Sequence, residues 1–183
     1  MTKRVCRSSA VLVFTVVAWL LTLFVLTDRG WAEGKKIAGT AKFGPTLSQT
    51  LLLPTDVPKH EVMLINRVQT WNSTDPEWNN VEVTQFVFSD YIAGSGYHRG
   101  HNTNLHPGGD RTFTSYEGQT TRTTNADGSW ESKFEGTFRF TGGTGKFQGI
   151  SGQGTYMGKA SAPGGSTPTA ASFDWQGEYS LPK

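Results

Sequence analysis

The chain of 183 residues carries a single cysteine, Cys6, and it lies before a long apolar run instead of after it. No disulfide can brace the fold, and a lipid attached just after an apolar leader is excluded by position. Basic clusters are missing too. Beyond residue 32 the chain keeps thirteen Lys or Arg against fourteen Asp or Glu, so the formal +2 of the whole chain drops to about −1. Without a basic patch there is no counterion release to drive nucleic-acid binding, and no nucleic acid is expected as a partner. A Gly-x-Ser-x-Gly elbow is absent, which removes the usual serine-hydrolase reading. Amphipathic helical periodicity is absent as well, and 22 glycines and 8 prolines punctuate the chain instead.

What is present begins with a leader. Lys3, Arg4 and Arg7 precede an uncharged run from Ala10 to Leu26, and Gly30-Trp31-Ala32 offers small residues for a cut after Ala32. This is the pattern of a signal peptide over 1–32, followed by an exported domain over 33–183, periplasmic or extracellular. An uncleaved anchor is the alternative. Seventeen helical residues (Ala10 to Leu26) reach about 26 Å, a little short of the roughly 30 Å hydrocarbon core. Any membrane contact would be through this segment alone.

The most regular stretch is Lys133–Lys159, KFEGTFRFTGGTGKFQGISGQGTYMGK. Phe134, Gly136, Phe138 and Phe140 alternate with Lys133, Glu135, Thr137 and Arg139, so a strand with one apolar and one wet face is expected. Thr141–Gly145 reads as a glycine hairpin, and Phe147 and Ile150 fall on the return strand. The run is no phosphate loop, because Phe140 and Phe147 stand where that motif needs Gly and Ser or Thr. Further strands are read at Lys36–Phe43, ended by Gly44-Pro45, at His60–Trp71, Val81–Ile92 and Asp110–Thr121, and at Ala171–Leu181. Gly118 reads as a bulge, Asn125–Gly128 as a turn and Gly94–Gly109 as an irregular loop. Seven or eight short strands without an amphipathic helix predict an all-β barrel or sandwich, and closure, which removes the exposed edges, favours a single antiparallel closed barrel of about eight strands.

The segment FTGGTGKFQGISGQGTY resembles the hairpin of the allene oxide cyclase and dirigent-like β-barrels, and is similar above all to small exported bacterial proteins of that barrel type without assigned activity. Gly109-Asp110-Arg111-Thr112-Phe113 fits the latter, and the resemblance spans Gly94 to Lys159. It implies a calycin-like barrel, a homo-oligomer, and, in the enzymes of the group, a lumen carboxylate acting on a small apolar substrate. No catalytic residue of the group has a matching position here, so none is carried over.

Three constellations could carry chemistry. His98, His101 and His106 with Asp110 are suitable zinc ligands, but spaced in an irregular loop they read as solvated side chains, and no metal or other cofactor is assigned. Glu117, Asp110, Glu135 and His106 could serve as acid or base inside a lumen, with nothing to single one out. Finally, Trp71, Phe86, Phe88, Tyr97, Tyr116, Phe134, Phe138, Phe173, Trp175 and Tyr179 supply either a filled core or the wall of a pocket. From these the expected ligand-binding set is Trp71, Tyr97, His106, Tyr116 and Glu117, at a barrel mouth built partly by Gly94–Gly109. The sequence thus favours a non-enzymatic binder of a small apolar ligand or a protein, with a cyclase-like enzyme and a structural envelope protein as alternatives.

Overall fold

The computed structural model describes residues 33–163 and 170–183, so the expected signal or anchor over 1–32 lies outside the described residues. Eight strands follow one another: β1 (Lys35–Leu52), β2 (His60–Ser73), β3 (Val81–Ile92), β4 (Ser95–Leu105), β5 (Arg111–Thr124), β6 (Trp130–Gly143), β7 (Ser151–Ala162) and β8 (Ala170–Ser180). Each pairs antiparallel with the next, and β8 pairs with β1, which closes the barrel.

The register sets its width. A cross-strand row leaving β1 at Ile37 passes Gly177, Gly154, Phe138, Tyr116, Gly100, Val87 and Ile65, and re-enters β1 at Gln49, twelve residues further on. Stagger, tilt and diameter are linked, so this cylinder is wider than the eight-stranded barrel of (β/α)8 proteins, whose stagger is about 8. The extra girth accommodates rings from several strands at one level.

Alternation works as expected on β6, where Phe138 and Phe140 are buried between exposed Thr137, Arg139 and Thr141. On β3 the inward set is Val81, Val83, Gln85, Val87 and Ser89, and it turns Phe86 outward.

Four local expectations are corrected. First, β1 does not stop at Gly44-Pro45. It absorbs them through register shifts between Phe43 and Thr46 and between Thr46 and Ser48, since a bulge tolerates a residue without an N–H. Second, Gly94–Gly109 is mostly the regular strand β4. Ala93 and Gly94, at φ 51° and 79°, make a two-residue connection between Ile92 and Ser95, matched in twist to the flanking strands. The stretch looks irregular in sequence because its inward positions hold Gly, His and Asn. Third, the β6–β7 connection is no tight hairpin: a short 3-10 turn, Gly145–Phe147, precedes β7, and Phe147 and Ile150 leave the strand to be buried at one barrel end. Fourth, Gly118 is no bulge, since it pairs in register with His98 and Gly136; the β5–β6 shift falls at Phe113/Thr114.

Candidate functional site

The two halves of the lumen differ. One end is plugged. Asp75 caps the 3-10 turn Pro76–Trp78 by accepting from the Glu77 N–H at 3.0 Å, and this turn drops Trp78 into the barrel end. Trp78 is fully buried among Phe140, Phe147, Trp175, Tyr179 and His106, with ring centres 4.8–6.0 Å away. Glu77 fastens the plug from outside. It lies 3.3 Å from the Lys146 ammonium and 3.6 Å from that of Lys35, and accepts from the Tyr179 hydroxyl at 3.2 Å. Burial pushes its carboxyl up, but these partners outweigh that and hold it below its ordinary pKa.

Toward the opposite end burial is uneven: Ser89, His98, Thr120, Trp130, Ser132 and Phe173 are buried, whereas other inward-facing groups stay partly accessible to solvent. Phe43, Ile65, Arg67, Tyr91, Phe134 and Tyr156 all point inward yet are only partly buried. Phe43, Phe134, Phe173 and Tyr156 form an aromatic wall, with neighbouring ring centres 5.5–6.2 Å apart. A polar relay joins this wall at Tyr156: the Tyr91 hydroxyl lies 2.9 Å from Thr120 Oγ1, Thr120 lies 3.1 Å from His98 Nδ1, and His98 Nε2 lies 2.7 Å from the Tyr156 hydroxyl. Tyr156 reaches His98 because Gly118 and Gly136 stand between them on one cross-strand row. A Cβ on Gly118 would meet the Tyr156 hydroxyl at 2.6 Å and His98 Nε2 at 2.9 Å.

Three charged residues share the inward parity of this half: Arg67 and Glu61 on β2, and Arg122 on β5. The Arg122 Nε donates to Ser132 and its guanidinium stacks over Trp130 at 4.0 Å, while Glu61 is paired with Tyr91 near the strand end. Burial, and then the Arg67 charge, push the His98 imidazole down to about 4, so it is neutral. Desolvation raises the phenols of Tyr116 and Tyr156 far above their usual range, so both stay protonated. Such groups hold and orient an occupant; a pKa near 4 makes His98 a poor base and no acid near neutral pH.

The five sequence-expected site residues do not converge. Trp71 and Tyr116 are buried in the lumen, where the Tyr116 hydroxyl donates to the Phe86 carbonyl at 3.2 Å. His106 belongs to the plug, with Nδ1 2.7 Å from the Glu77 carbonyl and Nε2 3.1 Å from Thr112 Oγ1. Tyr97 and Glu117 face outward, joined by a 2.9 Å hydrogen bond from the phenol to the carboxylate. They line a groove of about 1420 Å³ that follows the Ile37-to-Gln49 row around the outside of the barrel, beside Phe86, Phe88, Arg99 and His101. Glu135 is also exposed on the outer face, and Asp110 lies at the plugged end, accepting from the Lys146 backbone N–H at 3.3 Å. His98 and His101 sit on opposite faces of β4, so they cannot share a metal; among the described residues no group of three His, Cys, Asp or Glu is placed to hold one. The residues sequence reasoning passed over are Phe43, Arg67 and Tyr156; His98, read there as a solvated loop histidine, is instead buried on β4. Arg67 was readable in principle, because it shares the parity of Ile65, Gln69 and Trp71.

No family model and no curated protein matches the chain. Among solved structures it is similar to the pterocarpan synthase dirigent protein GePTS1, at 11% identity and a TM-score of 0.37, over 82% of this chain and 87% of that one. A likeness of that grade carries no argument about activity.

Proposed function

We propose that this barrel is a non-catalytic carrier or receptor for a small, largely apolar molecule held in the accessible half of its lumen. The observation that carries the reading is the contrast between the two ends: Trp78 and Phe147 are fully buried, whereas inward-facing Phe43, Phe134 and Tyr156 keep solvent contact. Pockets for small ligands are mostly apolar, with a few convergent polar groups, and the aromatic wall, joined through Tyr156 to the Tyr91–Thr120–His98 relay, has that make-up. A cyclase-like mechanism would need an acid aimed into the chamber. The acids singled out for that role, Glu117, Asp110 and Glu135, lie outside it. Export of the barrel, on the basic-then-apolar pattern of residues 1–32, belongs to the same proposal.

Native mass spectrometry of the protein purified from the cells that make it tests this. The expected spectrum shows a small adduct that is lost under denaturing conditions. A bare mass under both conditions contradicts the reading.

A further inference from the structure

Arg67 has no ionic partner. It projects inward from β2, its Nε donates to the Gln85 Oε1 at 2.7 Å, and its guanidinium carbon stands 4.0 Å from the centre of the Phe43 ring. Among the described residues no carboxylate forms an ion pair with it, and no protein acceptor meets its two terminal amino groups. Guanidinium remains protonated at any ordinary pH, so a positive charge with four unused N–H donors is held at the chamber wall. A partly buried charge without a counter-charge is costly, and neither the Phe43 face nor the Gln85 amide neutralises it.

A second, independent feature lies on the same row. The register places Arg67 beside Gln85, Gln85 beside Asn102 and Asn102 beside Thr114, with Cβ atoms of such neighbours about 4.5–5.5 Å apart. Asn102 and Thr114 are 6% and 1% exposed, and Asn102 Oδ1 and Thr114 Oγ1 have no hydrogen-bond partner. One row along, Gln69 is 1% exposed and its Nε2 is likewise unpartnered. Buried polar atoms are nearly always satisfied, so the orphan on neighbouring Gln69, with those on Asn102 and Thr114 two and three strands along the row toward Phe140, marks a polar track leading from the unpaired cation.

We infer that the Arg67 row is the anchor for an anionic headgroup, and that the molecule the barrel takes is a small carboxylate carried on an apolar, aromatic body. This rests on the lumen-binding reading and narrows it. A planar carboxylate matches the two parallel N–H bonds of the guanidinium fork. Thr114 and the side-chain amides can orient about it, since an amide presents either end. The body then lies against Phe43, Phe134, Phe173 and Tyr156. Among the described residues no carboxylate pairs with Arg67, so the ligand supplies its counter-charge.

Calorimetric titration of the purified protein with benzoate and, separately, with benzamide tests the inference. The two probes share a ring and differ in charge. Benzoate is expected to bind saturably and about tenfold or more tightly than benzamide, and Arg67→Gln is expected to abolish that preference, the two probes then binding within about twofold of each other. Equal binding of both probes by the wild-type protein overturns the anionic headgroup and leaves lumen binding standing. Saturable binding of neither overturns both. The wild-type comparison needs no variant, so it decides the matter even if Arg67→Gln fails to fold.

Discussion

Replacing Trp78 with alanine is expected to destabilise the fold by about 3–5 kcal/mol, the range for deleting a fully buried large aromatic side chain. For a chain of this size that lowers the melting temperature by roughly 6–20 °C. Trp78 has no solvent contact, and five rings surround it. It arrives there on a three-residue turn, so no neighbouring strand can move in to fill the space it leaves. Its indole Nε1 has no hydrogen-bond partner, so the contribution is packing and not polar. Trp78→Phe, which keeps a ring in the plug, should therefore cost much less than the alanine variant. Calorimetric melting of the three proteins measures this, and a loss below about 1 kcal/mol for Trp78→Ala would mean that the plug is not what seals that end.

Acidification from pH 6.5 to pH 4 is expected to remove about 3 kcal/mol through His98 alone. Its imidazole is held down to about 4 in the fold, by burial first and the Arg67 charge second, against about 6.5 in the unfolded chain. Above pH 6.5 both states are neutral and stability does not depend on this group. Between pH 6.5 and 4 the unfolded chain takes up a proton that the folded one refuses, so stability falls with pH. Below about pH 4 both are protonated and the loss levels off. His106, also lowered by burial, adds in the same direction. His60 opposes it: Asp56 and Asp90, at 2.6 and 2.8 Å, raise its pKa, so its contribution is complete below pH 6.5 and fades as pH rises through the folded value. The lowered carboxyls of Asp56, Glu77 and Asp127 begin to lose their contribution only below about pH 4.5, so they touch no more than the acid end of this window. Melting temperatures across pH 4–8 for the wild type and His98→Gln should show a shallower acid limb in the variant. Parallel curves would contradict a neutral, buried His98.

The barrel itself was legible because period-2 alternation on β6 and β8 is strong, and because evenly spaced strands without helices leave few other architectures. The site was less so. The rings were visible, but which of them face the lumen depends on bulges: the shifts around Gly44-Pro45 decide where Phe43 lies against β2, and no pattern of apolar residues announces them. β4 was hidden for a different reason. Its inward positions are Gly96, His98, Gly100, Asn102 and Asn104, which read as loop composition, yet they are what a crowded lumen with polar contacts requires. Tyr97 and Glu117 followed the same logic in reverse, since without a parity for β4 and β5 their outward direction could not be seen.

The central claim is that one end of the lumen is closed and the other receives a ligand. Nuclear magnetic resonance shift mapping with indole, an uncharged aromatic probe, tests it most directly. Saturable shifts are predicted at the ring signals of Phe43, Phe134 and Tyr156, with Phe147 and Trp78 unmoved. Shifts confined to Phe86, Phe88 and Tyr97 on the outer groove would contradict it.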